Sequence, residues 1–394
     1  MYIIHEYPVI TQTFVENEAE AMESIGHRVT RYALHPGSGF SASWPSVLSA
    51  KSALGDFRGI LSLLGTLGTM LLRLRSIAVV LFAGARNPTD ISRQVYSLAH
   101  AISLSSQLRS RNEDDIHLHA HFLGRPLDVL TYARILLGGR VSTSATGHAA
   151  DARNLVAPRR FQIQVEALHE VVCASESVAR LLEESTQRPA SAVVHCGIRP
   201  ASVGSRDSDS KLHLLTVARL VEKKGLFDCI SAARILEENG IDFIWRIIGD
   251  GPLRSALELD SRPLVSTGTI EWLGAQPSSS VHQNLNEWAD VFVLPSKVSS
   301  NGDVDGIPVA LMEAMTHGVA VISSNLSGIP ELVSHEKTGL LIDPGNVEEL
   351  CSAIARMKDD AFRSTMSHHA KLFVDVEFNQ AREAQKLSSL ITKI

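Results

Sequence analysis

The strongest constraint on this chain is an alternation of short apolar strands with helix-length segments, run twice. In the first half the pattern predicts a strand at Tyr2–Ile4, a helix at Thr13–Ser24 stopped by Gly26, a strand at Ile116–His121, a helix at Leu127–Leu137 and strands at Val141–Ala145 and Val171–Ala174. A polar run, RPASVGSRDSDSK at 199–211, then reads as a linker. After it the alternation restarts, with strands at Leu212–Val217, Phe243–Ile248, Ile270–Leu273, Val291–Leu294 and Ala320–Ser323, and helices at Leu226–Asn239, Val281–Ala289 and Val309–Thr316. Parallel strands need crossovers, and helical crossovers cover both sheet faces. The expected fold class is therefore α/β: two Rossmann-like parallel-sheet domains facing across a cleft, with ligand loops at the carboxyl ends of the strands. The expected boundaries are residues 1–200, 201–372 and a C-terminal helix at 373–394 that crosses back to the first domain.

The 394 residues suffice for two domains. With 44% hydrophobic and 20% charged residues, disordered and fibrous classes are excluded. A net charge of −6 argues against a nucleic-acid partner, which needs a concentrated basic surface, but leaves small anions open. Cys173, Cys196, Cys229 and Cys351 are far apart and form no CxxC pair, so a reducing compartment is expected. The opening MYIIHEYPVI carries no signal-peptide pattern, and a cytoplasmic location follows as the expectation.

The longest apolar run, Ile60–Leu72, has 13 residues. A membrane span needs roughly 20. Arg73 and Arg75 separate this run from a second one, Ser76–Ala85. The default expectation is a pair of buried or half-buried helices. The alternative is a surface that dips into a membrane, with Arg58, Arg73 and Arg75 near lipid phosphates.

Four motifs in the second half fall at expected strand ends. In TVARLVEKKG, Arg219 and Lys224 flank a turn closed by Gly225, and both suit phosphate contact. In IIGDGPL, Gly249 and Gly251 permit close backbone approach to a ligand. In VDGIPVALMEAMTHG, Asp305 precedes the turn residue Gly306, Pro308 falls near the first helical position, and the amides near Ile307, Val309 and Ala310 would face an anion. Glu313 sits one turn further in, where a carboxylate could hold ribose hydroxyls. The fourth motif, SSNLSGIPELV, marks only another loop at the cleft. In the first half, His117, His119 and His121 share one strand face. That spacing could bind zinc, place His121 at the cleft or reflect ordinary packing. His148 follows a strand and a glycine.

Together with ADVFVLPS and TGLLIDPGN, these motifs occur in the order seen in family 4 glycosyltransferases of the GT-B fold, which the chain resembles over nearly its whole length. YPVITQTFVENEAEAMESIGHRV, HLHAHFLGRP, TSATGHAAD, VVCASESVARLL and VVHCGIRP are similar to that family's N-domain segments. The nearest flavour is the subgroup that builds exopolysaccharide, colanic-acid-type or capsular repeat units. The resemblance implies anomer-retaining transfer from a nucleotide-diphosphate sugar, with no cofactor and no catalytic metal. It implies a donor on the C-terminal domain and a glycan or lipid-linked acceptor on the N-terminal domain, with a membrane surface as a further partner. Arg219 and Lys224 match the pair that binds the donor diphosphate, Glu313 the acid that holds the ribose, and Asp305 the acid that faces the transferred sugar. His148 matches the N-domain histidine near the reaction centre. Gly249, Gly251, Gly306, Ile307, Pro308 and Val309 belong to the donor side, and Thr11, Gln12, Thr13 and His121 to the acceptor side. Three departures stand out: Asp305 replaces the usual Glu, Gln12 a frequent acid, and Gln380 a frequent aromatic. A nucleotide-sugar epimerase of the same fold and a non-catalytic nucleotide-sugar binding protein are the rival expectations.

Overall fold

The computed structural model describes residues 1–7, 13–37, 57–83, 87–111, 115–151, 159–204 and 210–393. The chain divides into two compact units. Unit 1 comprises Met1–His195 with Glu383–Ile394, and unit 2 comprises Cys196–Arg382.

Unit 1 runs β1 (Tyr2–Tyr7), α1 (Thr13–Ser24), β2 (Arg31–Pro36), α2 (Phe57–Leu72), α3 (Leu74–Phe82), α4 (Pro88–Arg111), β3 (Ile116–His121), α5 (Arg125–Leu137), β4 (Val141–Gly147), β5 (Glu170–Cys173) and β6 (Ala192–Val193). The sheet order is β2-β1-β3-β4-β5-β6, and its pairings are parallel. Period-two alternation divides β3 between two environments. Leu118 and Ala120 enter the core with Leu127, Leu130 and Leu136 of α5 and Leu104 and Leu108 of α4. The three histidines take the other face. On β1, Ile3 joins that core, while Tyr2 and Ile4 pack with Val15 and Ala19 of α1.

The apolar middle does form two helices, and they are half-buried, with Ile77 and Val80 in the unit 1 core and the opposite face exposed. Leu64, Leu71, Leu72, Leu74, Val79 and Phe82 are exposed, and only Thr66, Ile77 and Val80 among the described side chains of α2 and α3 are buried.

Unit 2 contains β7 (Leu212–Val217), β8 (Phe243–Ile248), β9 (Ile270–Gly274), β10 (Val291–Leu294), β11 (Ala320–Ser324) and β12 (Leu340–Ile342), joined by helices that include Leu226–Glu238, Val309–Thr316 and Val347–Arg356. These strands form a second parallel sheet, in the order β12-β11-β10-β7-β8-β9. Both of its faces are covered. Leu214, Trp245, Val291, Val293 and Ile322 pack on one side, and Leu215, Ile248, Phe292, Leu294 and Val321 on the other. That is why these strands read as continuous apolar runs. The expected helix at 281–289 starts earlier and is composite, an α-helix at Ser278–Gln283 that continues as a π-helical stretch at Asn284–Trp288.

The returning C-terminal segment begins later than expected. Helix Asp360–Glu377 stays in unit 2, where Ala370 and Val374 pack with Met312 and Met315. Gln380 also stays there, and its Oε1 accepts from Arg199 Nε at 3.0 Å. A Cβ on Gly197 would lie 2.4 Å from Gln380 Cα, so only glycine fits at that crossing. From Glu383 onward the chain belongs to unit 1. Glu383 Oε2 accepts from the His195 amide at 2.8 Å, and Ala384 and Leu387 pack with Met22, Val172 and Val194.

Candidate active site

In unit 2 the strand order reverses at β7, which has β8 on one side and β10 on the other. Connections leave such a point in opposite directions and open a crevice beyond the strand ends. The loop after β7 carries Arg219 and Lys224. The loop after β10 carries Ser296 and Asp305 and leads into helix Val309–Thr316.

Lys224 and Asp305, read from separate motifs, meet. Lys224 Nζ donates to Asp305 Oδ2 at 2.8 Å, Ser296 Oγ donates to the same oxygen at 2.7 Å, and Lys223 Nζ lies 3.4 Å from Oδ1. Lys223 also pairs with Asp303 at 3.3 Å. Burial by itself would raise the Asp305 carboxyl. The ammonium groups of Lys224 and Lys223, with the hydrogen bonds from Lys224 and Ser296, outweigh it and hold that carboxyl below its ordinary range. Both Asp305 oxygens are thus engaged within the protein. An ammonium has three donors, so Lys224 retains two for a ligand. Arg219 is exposed and has no side-chain partner among the described residues, which leaves its guanidinium fork open.

The glycines of IIGDGPL answer to the neighbouring loop. A Cβ on Gly249, at φ +145, would lie 1.8 Å from Ala218 O, and one on Gly251 would lie 2.6 Å from Leu220 O. They let two strand-end loops pack together, and the Leu220 amide bonds to Asp250 O at 2.9 Å. Pro308 caps the helix, and Val309 is its first residue. Gly306 and Ile307 are half-buried in the loop just before it, Ile307 against the core. The first amides of the helix have no intrahelical acceptor and form the positive end of its dipole.

Glu313 lies on the second turn. Its carboxylate is half-buried, has no partner among the described residues, and is pushed up to about 7 by burial. A carboxyl raised in this way favours folding below its ordinary value of 4.5, and the contribution is lost as pH rises from there through about 7. Glu313→Gln should therefore stabilise the protein at pH values above that range, by about 1–3 kcal/mol. Thermal unfolding of both forms across pH checks this, and the gain should vanish in acid.

In unit 1, the sequence-derived candidates gather at the carboxyl ends of β3 and β4. His148 is buried, and burial pushes its imidazole down to about 3, so it is neutral. Its Nε2 has no partner among the described residues. Asp151 Oδ2 accepts from its backbone amide at 2.9 Å, and the rings of Phe122 and Phe14 lie 4.6 and 5.1 Å away. Phe122 has φ 73, a left-handed conformation that is rare for a bulky side chain. His121 stacks 5.9 Å from His148, and its Nε2 lies 3.1 Å from Glu18 Oε1. Thr13 opens α1 and is half-buried, whereas Thr11 and Gln12 lie outside the described residues.

The histidine row is mostly structural. His117 bonds to Ser142 and Ser144, at 2.8 and 2.6 Å, and His119 to Ser144 and Thr146, at 2.7 and 3.0 Å. Donor atoms of Glu18, His119 and His121 lie within 4.8 Å of one another, but these hydrogen bonds occupy both nitrogens of His119. Sequence reasoning missed Lys223, Ser296, Phe14 and Phe122. The Lys-Lys pair and the Pro-Ser after β10 are visible in the motifs, but nothing local says that they converge on Asp305.

Residues 202–372 match the model of the family described as glycosyl transferases group 1. The chain is 28% identical over 419 residues to the amylovoran biosynthesis glycosyltransferase AmsK of Erwinia amylovora, covering 99% of this chain and 98% of that one. It is 40% identical over 186 residues to the putative colanic acid biosynthesis glycosyltransferase WcaL of Salmonella typhimurium, a match that spans 46% of this chain and 45% of that protein. Among solved structures, Anabaena HepE in complex with UDP and glucose superposes with a TM-score of 0.67 at 14% identity, covering 100% of this chain and 99% of that one. At that identity the likeness establishes the two-domain GT-B fold. Unit 2 thus holds a domain of the glycosyl transferases group 1, and the chain is a glycosyltransferase with the GT-B fold.

Proposed function

We propose that the chain transfers a hexosyl group from a nucleotide-diphosphate sugar to a glycan or lipid-linked acceptor, with retention at the anomeric carbon, in exopolysaccharide assembly. One observation carries the donor reading: the β7 and β10 loops and the helix after them present an exposed guanidinium, an anchored ammonium and a carboxylate with no partner among the described residues. Arg219, Lys224 and the helix amides take the diphosphate, and Glu313 takes the ribose hydroxyls. As the bond from the anomeric carbon to the diphosphate breaks, charge accumulates on the leaving oxygen, and these groups are already oriented to receive it. They also meet the charge that a metal would otherwise neutralise. We assign the acceptor to unit 1, with His148 serving the chemistry and Thr13 and His121 the acceptor side. The amylovoran and colanic acid biosynthesis glycosyltransferases to which the chain is similar support polysaccharide assembly. The exposed leucines of α2 and α3 support a cytosolic protein held peripherally at the membrane face.

A thermal-shift screen of nucleotide sugars, followed by a transfer assay, tests this reading. One donor should stabilise the protein and its sugar should reach an acceptor with unchanged anomeric configuration. Release of free sugar without an acceptor requirement would favour the epimerase, and binding without turnover a non-catalytic role. Donor binding should also release a proton near pH 6.5, because ribose hydroxyls donate to ionised Glu313. Calorimetry in buffers of differing ionisation enthalpy reads that proton, and Glu313→Gln should abolish it.

A further inference from the structure

The α2–α3 elbow bends by 75° at Arg73. Neither helix is long and apolar enough to cross a membrane alone. Their outward face is apolar: Leu71, Leu72 and Phe82 are 65%, 86% and 61% exposed. The inward face is tied down. Ser62 Oγ donates to Ser106 O at 2.5 Å, Arg109 donates to Thr69 Oγ1 at 3.1 Å, and Arg160 Nε donates to Val80 O at 3.1 Å. The leucines are therefore held outward by fixed polar contacts, and contiguous exposed apolar surface of this kind marks an interaction site.

Beside the elbow lies an open cavity of about 340 Å³, lined by Arg73, Ser76, Arg134 and His169 over the turn Gly138–Gly139. Neither Arg73 nor Arg134 has an ion-pair partner among the described residues. Arg140 adds positive charge nearby, since it acts on Arg109, and Glu170 is the acid that acts on His169. The cavity sits at the amino ends of β4 and β5. His148 follows the opposite end of β4, and seven residues of strand separate the two by about 20 Å. The cavity is thus distinct from the candidate catalytic edge of unit 1.

We propose that this cavity binds the phosphate headgroup of an anionic membrane phospholipid while the leucines of α2 and α3 enter the acyl boundary. The continuity of charge and apolar surface favours a lipid over a free anion: Leu72 and Leu74 flank Arg73 in sequence, and the arginine that lines the cavity is the one at the bend. The proposal rests on the membrane-surface reading and adds to it the residues that select for charge.

Vesicle sedimentation of the full chain tests it, using phosphatidylglycerol mixed into phosphatidylcholine against phosphatidylcholine alone, at low and high salt. Circular dichroism confirms the fold of each variant. The wild type should bind the anionic vesicles at low salt. Arg73→Gln with Arg134→Gln should weaken that binding about 30-fold, roughly fivefold per arginine. Leu71→Ser with Leu72→Ser should weaken binding to both vesicle types, and neither variant should lose nucleotide-sugar binding. If the double arginine variant keeps the wild-type preference for anionic vesicles, the headgroup site is wrong while the membrane-surface reading stands. If the wild type binds no vesicle, both fail. Arg134-dependent stabilisation by inorganic phosphate without vesicle binding would assign the cavity to a soluble anion and overturn the lipid source.

Discussion

Replacing Lys224 with alanine should lower turnover about 10²–10³-fold, the cost of losing one preorganised group aimed at developing charge. Lys224 is not a loose surface lysine. Its position is set by the 2.8 Å contact with Asp305, whose own carboxylate is fixed by Ser296 and Lys223. The ammonium therefore needs no reorganisation when a diphosphate arrives. Arg219 differs, because its guanidinium is exposed and has no partner among the described residues, and it must be ordered by the ligand. Arg219→Ala should accordingly weaken donor affinity more than turnover, and Lys224→Ala the reverse. Steady-state kinetics with the donor from the screen separate the two. Equal turnover in Lys224→Ala and wild type would remove this residue from the chemistry.

Asp305→Asn should reduce transfer by about two orders of magnitude, the effect of a small misplacement of a catalytic group, while the nucleotide still binds. The carboxylate was expected to face the transferred sugar. Its contacts with Lys224, Lys223 and Ser296 add a positioning role on Lys224, which we propose as part of its contribution. Removing its charge also leaves two partly buried lysines with less compensation, so stability should fall by about 3 kcal/mol. The sign in pH follows from its depressed value. The stabilisation is present above 3.8 and is lost as pH falls through the lower folded value. Wild type and Asp305→Asn should therefore converge in stability in strong acid. Wild-type transfer in Asp305→Asn would make the carboxylate purely structural.

Much of the fold was legible because buried parallel strands are apolar throughout. Leu212–Val217, Phe243–Ile248 and Val291–Leu294 have the bounds that the pattern predicts. Strand β2 and helix α4 of unit 1 escaped notice because they bury polar groups. Strand β2, RYALHP, buries Arg31, whose charge is met by Glu16 and Glu23 at 3.0 and 2.8 Å. Helix α4 buries Gln94, Ser97 and His100, with Gln94 bonded to Asp128 and Tyr132. A polar residue satisfied by a distant partner looks like surface in the sequence. The exposed leucines of α2 and α3 are the reverse case, since apolar surface looks like core. At the site, residue types and spacings named Arg219, Lys224, Asp305 and Glu313. That Lys224 pairs with Asp305, while Glu313 has no partner among the described residues, depends on where two loops come together, which no local pattern records.

Calorimetric titration of nucleotide sugars into wild type, Arg219→Ala and Glu313→Gln tests the central claim most directly, namely that the reversal point in unit 2 is the donor site. One nucleotide sugar should bind the wild type at a single site, and each substitution should weaken it by at least tenfold, about 1.4 kcal/mol. A donor that binds all three proteins with the same affinity would place the nucleotide elsewhere and contradict the account.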